Sequence, residues 1–336
     1  MKAVVLVGGE GTRLRPLTET RPKPLIPFMD RPFLHHPLDL LSRHGIEEVV
    51  LSSPYLEEEF RAFLKERGGS PRITWITEEV PLGTCGAIAS ARDHLDETFV
   101  VCNGDILTDL DITALVAFHR ERGATATIAL TPVEDARPYG LVDADADGRV
   151  LAFREKPSEA VPGNVNAGTY VLEPGSLDGV PEGVEVSIER ETFPNLIARG
   201  EPLYAFVSDA YWRDLGTPES YLAAHLDALA GRVSGVSTDR PHIGPGAAVE
   251  GGAMVEETVV VGRRARVGAG ARLARSVLHE EALVAEDAEV SNSILGPRSE
   301  VGAGAVVEDT VLGEGARVAP EAAVRGERVE PGRSIS

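Results

Sequence analysis

The chain has 336 residues, 43% of them apolar and 26% charged, which are proportions of a soluble globular protein with room for two domains. A formal net charge of -20 argues against general binding to nucleic acid or to an anionic membrane. Two cysteines, Cys85 and Cys102, are too few for a disulfide framework and fit a reducing, cytoplasmic setting, and the early apolar run Ala3 to Val7 is too short for a membrane span or a signal-peptide core.

In chain order, "KAVVLV" reads as a buried strand and "FLHHPLDLLSRHG" as a helix ending at Gly45. "EEVVLSS" is a strand, and "PYLEEEFRAFLKERGG" has helical spacing with Pro54 at its start. "RITWIT" (strand), "TCGAIASARDHL" (helix) and "TFVVCNGD" (strand) follow. "DITALVAFHRERG" predicts a helix with Asp111 as N-cap and Gly123 as its stop, and "ATATIALTPV" predicts another strand. This alternation argues for a mainly parallel, doubly wound sheet. Between residues 133 and 215 the short candidates "GLVDAD", "RVLAFRE", "NAGTYVLE" and "PLYAFVS" suggest a partly antiparallel extension. "TPESYLAAHLDALAG" then predicts a closing helix capped by Thr217.

The last third repeats. Ile243, Val249, Val255, Val261, Val267 and Leu273 recur every six residues, with Ala247, Ala253, Val259, Ala265, Ala271 and Val277 four places after each. The period continues through Leu278, Val284, Val290, Leu295, Val301, Val307, Leu312, Val318, Val324 and Val329. Steps of five residues interrupt it once every 17 residues, so one of three faces is a residue shorter. A hexapeptide period predicts a parallel β-helix whose coils bury their apolar corners only against neighbours.

Chemistry concentrates in the first loop, "GGEGTRLRPLTETRPKPL". Leu14 stands where a dinucleotide fingerprint needs its third glycine, and no Gly-Lys-Ser/Thr follows, so neither familiar phosphate loop fits. The glycines alone allow a tight turn or a cradle of backbone N–H groups for phosphate; Arg13, Arg15 and Lys23 close behind favour the cradle. The chain has only four lysines, and two of them, Lys23 and Lys156, precede proline. That placement predicts extended backbone at both, and the scarcity suggests sites needing a compact ammonium in place of a guanidinium. Asp105 ends a predicted strand, as either a turn residue or a Mg²⁺ ligand.

The ordered set "GGEGTRLRPLT", "RPKPL", "EEVPLGTCGAI", "NGD", "YGLV", "REKP", "NAG" and "YWRDLGTPESYL" resembles the sugar-1-phosphate nucleotidyltransferases over residues 1 to about 230, and within them most resembles the mannose-1-phosphate guanylyltransferases. The resemblance implies an α/β, Rossmann-like, doubly wound mixed sheet over 1–232, a linker over 233–241 and a left-handed parallel β-helix over 242–336. It implies transfer of a nucleotidyl group from an NTP to a sugar 1-phosphate, with release of pyrophosphate. Gly8, Gly9, Gly11 and Thr12 would cradle the nucleotide, with Gly83 and Thr84 beside it. Arg13 and Lys23 would meet the triphosphate, and Asp105 and Asp214 would hold Mg²⁺. Lys156 would meet the sugar-linked phosphate, Glu155 the sugar hydroxyls, and Gly140, Asn166 and Gly168 would line the sugar pocket.

Glu78, or Glu79 if the register slips, would favour GTP, because it stands where thymidine- and uridine-using relatives commonly carry Gln. Mannose, glucose, glucosamine-type and heptose 1-phosphates all remain open as the sugar, and thymidylyl or uridylyl transfer is the alternative chemistry. Two other classes are weighed. A non-catalytic regulatory homologue would have damaged loop or metal positions, whereas Arg13, Lys23, Asp105 and Asp214 are all present. An acyltransferase site in the repeat would need a base, and the repeat offers only His242 and His279, the latter expected at the surface. The repeat is otherwise expected to serve assembly into a homo-oligomer.

Overall fold

The run "KAVVL" forms β1, Lys2–Leu6, whose Ala3, Val4 and Val5 are completely buried, as a strand covered on both faces requires. The computed structural model describes residues 1–53, 57–236 and 238–336; Pro54, expected at a helix start, and the side chain of Glu155 lie outside the described residues. On one side of β1 run β2, Glu48–Ser53, and β3, Arg72–Thr77; on the other runs β4, Phe99–Asn103. All four are parallel, in the order β4-β1-β2-β3. Helices α1, His35–Arg43, α2, Glu57–Arg67, and α3, Gly83–Ser90, alternate with them along the chain as the patterning predicts. Pro37 is accommodated because it lies in the first turn of α1. In α4, Ile112–Arg122, the Asp111 side chain accepts from the Ala114 N–H at 2.9 Å, and Gly123 ends the helix in the left-handed conformation.

The expected antiparallel extension follows: β5, Ala126–Val133, β6, Gly140–Ala144, β7, Val150–Glu155, β8, Gly163–Leu172, and β9, Leu203–Val207. β8 pairs antiparallel with β4 and β5, β7 with β6, and β9 lies parallel to β5. The result is a mixed sheet with nine strands among the described residues. The β8 register breaks between Asn166 and Tyr170, a bulge that re-aims the backbone there. A π-turn over Ile188–Thr192 runs into α5, Phe193–Ala198, whose Phe193 and Leu196 close the core around Tyr170.

By contacts the chain forms two compact units: Met1–Gly9 with Leu34–Trp212, and Glu10–Phe33 with Arg213–Ser336. The second contains α6, Pro218–Leu229, where the Thr217 hydroxyl accepts from the Ser220 N–H at 3.2 Å. It also contains the left-handed parallel β-helix, built of three all-parallel sheets with six, six and five strands among the described residues. His242 pairs with Val260, Val260 with Val277 and Val277 with Ile294, so every coil after the first takes 17 residues. The inward row from Val261 to Val329 forms one continuous buried core.

At the first three short steps a left-handed residue (Arg275, Asn292 or Asp309) precedes a buried hydroxyl (Ser276, Ser293 or Thr310); at the last, Gly326 precedes the exposed Glu327. Each hydroxyl donates at 2.7 Å to the carbonyl two residues before it. The Ser276 and Ser293 oxygens also accept the N–H of Ser293 and Thr310 on the next coil, at 3.2 and 3.1 Å.

Two expectations need correction. Val277 does not continue the row of small corner residues; the short step gives that place to Ser276, and Val277 sits in a strand beside Leu278. His279 is not on the surface: it is 3% exposed, because its ring packs edge-on against Tyr221.

Candidate active site

The parallel strands β1 to β4 all end at one edge, where ligands of open α/β sheets bind. Gly8 and Gly9 leave β1 there, exposed. Ser52 is near the end of β2, Glu78 directly follows β3, and Asn103 ends β4. A cavity of about 270 Å³ opens among them, lined by Leu6, Gly8, Gly9, Ser52, Glu78 and the Pro81–Thr84 turn, with Glu185 and Ala87 completing it. Glu78 is 7% exposed. One of its oxygens accepts from the Ser52 hydroxyl at 2.8 Å and the other from the Leu82 N–H at 3.1 Å. A carboxylate has about four acceptor positions, so two protein donors leave it able to accept from a ligand. Glu79 is exposed and does not line the cavity.

Gly83 has φ +67°, and a Cβ there would meet the Val186 carbonyl oxygen at 2.8 Å, so the turn into α3 admits only glycine. Thr84 borders the cavity, but its hydroxyl donates to Glu189 at 2.8 Å and accepts from the Ile188 N–H at 2.8 Å. Its side chain therefore ties α3 to the π-turn. Glu189 also accepts from Ser187 at 2.9 Å and Tyr170 at 3.4 Å, and Tyr170 in turn accepts from the Asn166 amide at 2.8 Å.

Asn166 shapes the β8 bulge: its carbonyl oxygen accepts from the Gly168 N–H at 2.9 Å. Gly168 has φ +70°, and a Cβ there would press to 2.7 Å against the Asn103 amide. Gly140 begins β6, and Lys156 follows β7, exposed. Extended backbone does not hold at either pre-proline lysine. Lys156 has φ +48°, with its N–H bonded to the Tyr139 carbonyl at 3.0 Å, and Lys23 opens a 3₁₀ turn, Lys23–Leu25. A bulky residue at positive φ is uncommon and persists where surrounding structure imposes it. Asp105 is half-buried beyond the end of β4, following Gly104, whose N–H donates to the Leu6 carbonyl at 2.8 Å.

The remaining expected residues, Gly11, Thr12, Arg13, Lys23 and Asp214, belong to the second unit. Gly11 and Thr12 start a 3₁₀ turn, with the Thr18 hydroxyl donating to the Gly11 carbonyl at 2.8 Å. Arg13 and Lys23 each lie 3.7 Å from an Asp214 oxygen. Arg13 is 63% exposed and Lys23 only 11%, so one cation reaches outward while the other is set into the protein. Among the described residues no group of three or more His, Cys, Asp or Glu forms a complete metal cage. Asp105 and Asp214 carry carboxylate oxygens, the kind of ligand that a hard divalent cation takes together with water and phosphate oxygens.

Residues 2–231 match the model of the nucleotidyl transferase family, and residues 238–336 match that of the GMPPB C-terminal domain. The chain belongs to the nucleotidyl transferase family. A Mycobacterium tuberculosis protein named mannose-1-phosphate guanylyltransferase is 42% identical to this nucleotidyltransferase over 286 residues, 83% of this chain and 79% of that one. A Synechocystis protein named UTP–glucose-1-phosphate uridylyltransferase is 33% identical over 320 residues, 88% of this chain and 82% of that one. The crystal structure of HddC from Yersinia pseudotuberculosis complexed with GMP-PN is 31% identical, with a TM-score of 0.59 over 67% of this chain and 97% of that one. Nucleotidyltransferases of this family generally use a divalent metal. No helix among the described residues is long and apolar enough to cross a membrane.

Ser52, Glu185 and Glu189 were not singled out from the sequence. Ser52 carried a legible signal, a serine pair ending the apolar strand "EEVVLSS". Glu185 and Glu189 sit in a segment where only the folded chain brings them to α3 and β8.

Proposed function

We propose that this nucleotidyltransferase joins GTP and mannose 1-phosphate into GDP-mannose, releasing pyrophosphate. Glu78 carries the proposal: a carboxylate held by Ser52 and Leu82 in the wall of a cavity bounded by Gly8, Gly9 and Gly83. A carboxylate only accepts hydrogen bonds. Guanine offers N1–H and N2–H side by side, whereas uracil and thymine offer one N–H between two carbonyls that would repel it. The name of the M. tuberculosis relative and the GMP-PN bound to the HddC relative support a guanine nucleotide.

In this mechanism an oxygen of the sugar phosphate attacks the α-phosphorus in line, and pyrophosphate leaves. No covalent protein intermediate is needed, so rate comes from alignment and charge stabilisation. Arg13 and Lys23 offset charge on the triphosphate, and Lys156 meets the sugar-linked phosphate. Gly140, Asn166 and Gly168 line the sugar site, with Glu155 accepting from its hydroxyls. Asp105 and Asp214 would hold Mg²⁺, which supplies charge screening when bound. A cytoplasmic homo-oligomer is part of the same proposal.

Pyrophosphate release measured across a grid of NTPs and sugar 1-phosphates tests it. Turnover is expected to be highest with GTP and mannose 1-phosphate, lost with EDTA, and lowered by orders of magnitude in Asp105→Asn and Asp214→Asn. A preference for UTP with glucose 1-phosphate would overturn the proposed substrates. Full activity in either Asn variant would overturn its metal role.

A further inference from the structure

We infer that the β-helix is a working part of the transfer site, because one edge of its coils holds the segment 10–33 that carries Arg13 and Lys23. This rests on the proposed roles of those two cations. Residues 10–33 form one compact unit with residues 213–336. Their contacts fall on equivalent places of stacked coils. Asp30 accepts from the Arg263 N–H at 2.9 Å, Arg21 donates to Glu280 at 3.0 Å, and Thr20 donates to Glu314 at 2.8 Å. Arg263, Glu280 and Glu314 each lie two residues past an inward residue of the same sheet, at Val261, Leu278 and Leu312. On a later coil, Arg328 donates to the Arg13 carbonyl at 3.4 Å and to Glu219 at 3.0 Å.

One row further in, the coils read Gly262, His279, Gly296 and Gly313. The single histidine of that row bonds the Tyr221 hydroxyl at 2.8 Å, and Tyr221 donates to the Pro27 carbonyl. Met29 and Asp30 both have positive φ, at 47° and 77°. Asp30 is further fixed by His242 at 2.6 Å, and the Met29 N–H donates to His225 at 3.4 Å. Met29 and Asp30 are the two turn residues of the hairpin that pairs Phe28 with Arg31, where positive φ at both positions is the ordinary geometry, so the turn presents Asp30 in a fixed direction. The segment is thus anchored at the first of its two proposed catalytic cations, between the two, and after the second. A loop already held in its binding geometry loses less freedom when a triphosphate arrives, and small displacements of such groups are costly to turnover. Glu280, Glu314 and Arg328 are accordingly positioning residues.

The test uses the full chain. The double variant Glu280→Gln/Glu314→Gln is expected to lower kcat by about 10- to 100-fold, with KM for the sugar phosphate within about twofold of wild type. The Asp/Asp pair at the same positions should restore part of kcat. Glu289→Gln, which breaks an ion pair with Arg272 in another sheet of the β-helix, should change neither constant. Hydrogen exchange gives a readout independent of activity. The amides of Leu14, Leu25 and Ile26, which now close turns within the segment, should exchange faster in the Gln/Gln variant, while β1 to β4 keep wild-type protection. Wild-type kcat with wild-type exchange would overturn the inference, as would faster exchange spread through the whole molecule. If the wild-type chain transfers no nucleotide anywhere on the substrate grid, the proposed function fails. The exchange of residues 10–33 still decides whether the β-helix holds the loop.

Discussion

Glu78 commits each of its oxygens to one protein donor, Ser52 on one side and the Leu82 amide on the other. Its orientation is therefore set before any ligand arrives. Replacing it with Gln turns one acceptor oxygen into an NH₂ donor, so either a protein donor or a guanine N–H then meets another donor. An unsatisfied buried polar group costs about 1–3 kcal/mol. Glu78→Gln should accordingly lower kcat/KM for GTP by about 10- to 100-fold relative to UTP or dTTP, checked by measuring all three nucleotides. Equal losses for all three would leave Glu78 only a structural role. Individual residues were unevenly legible. The motif letters singled out Glu78 and Gly83, and both line one cavity, Gly83 because a Cβ there would meet the Val186 carbonyl oxygen at 2.8 Å. They did not reveal that the Thr84 hydroxyl turns to Glu189, nor that Lys156 sits at φ +48°. Both depend on partners remote in sequence or on local hairpin geometry.

At the scale of elements, the β-helix was the most legible part, because an interior only wide enough for apolar side chains imposes its period on every coil. The short steps were readable as spacing, but their cause appears only in the structure. There a left-handed residue turns the corner and a buried hydroxyl links consecutive coils. Ser293→Ala should strand the Thr310 N–H in the interior, since that N–H now donates to the Ser293 oxygen at 3.1 Å. The expected loss is about 1–3 kcal/mol of stability, measured by urea unfolding, with nucleotide transfer unaffected at permissive temperature. The repeat carries a second signal outside its inward row. In the four middle strands of one sheet the residues outside the inward row are Val260, Val277, Ile294 and Val311, all buried, where the equivalent places in a second sheet are Arg266, Leu283, Glu300 and Arg317. An apolar outer row announces a face that is covered, and α6 residues Leu222 and Leu226 line a groove with Ile294 and Val311.

For the molecule as a whole, linear reading divides the chain near residue 232, whereas contacts join the segment 10–33 to residues 213–336 in one unit. Nothing in local composition encodes such a union; it emerges from side chains such as Tyr221, His225 and His279 meeting the segment inside the second unit. Those contacts predict a pH response. Burial pushes the His225 imidazole down to about 4, partly opposed by its bond to the Tyr221 carbonyl, with His242 lowering and Asp30 raising it further. Burial, with His225 and Arg21 nearby, pushes His279 down to about 3. Unfolded histidine titrates near 6.5, so both folded values lie below the unfolded one. Above about pH 6.5 neither state binds the proton and stability is independent of these groups. As pH falls from there toward 4 and 3, the unfolded chain takes up protons that the folded chain refuses, and stability declines by about 1.4 kcal/mol per pH unit for each histidine. The window between pH 6 and 5 lies above the main carboxylate range. There, the slope of unfolding free energy against pH should be shallower in His279→Gln than in wild type by about one proton's worth. Identical slopes would mean that His279 takes up its proton as readily folded as unfolded, which a ring enclosed between Tyr221 and the β-helix should not do.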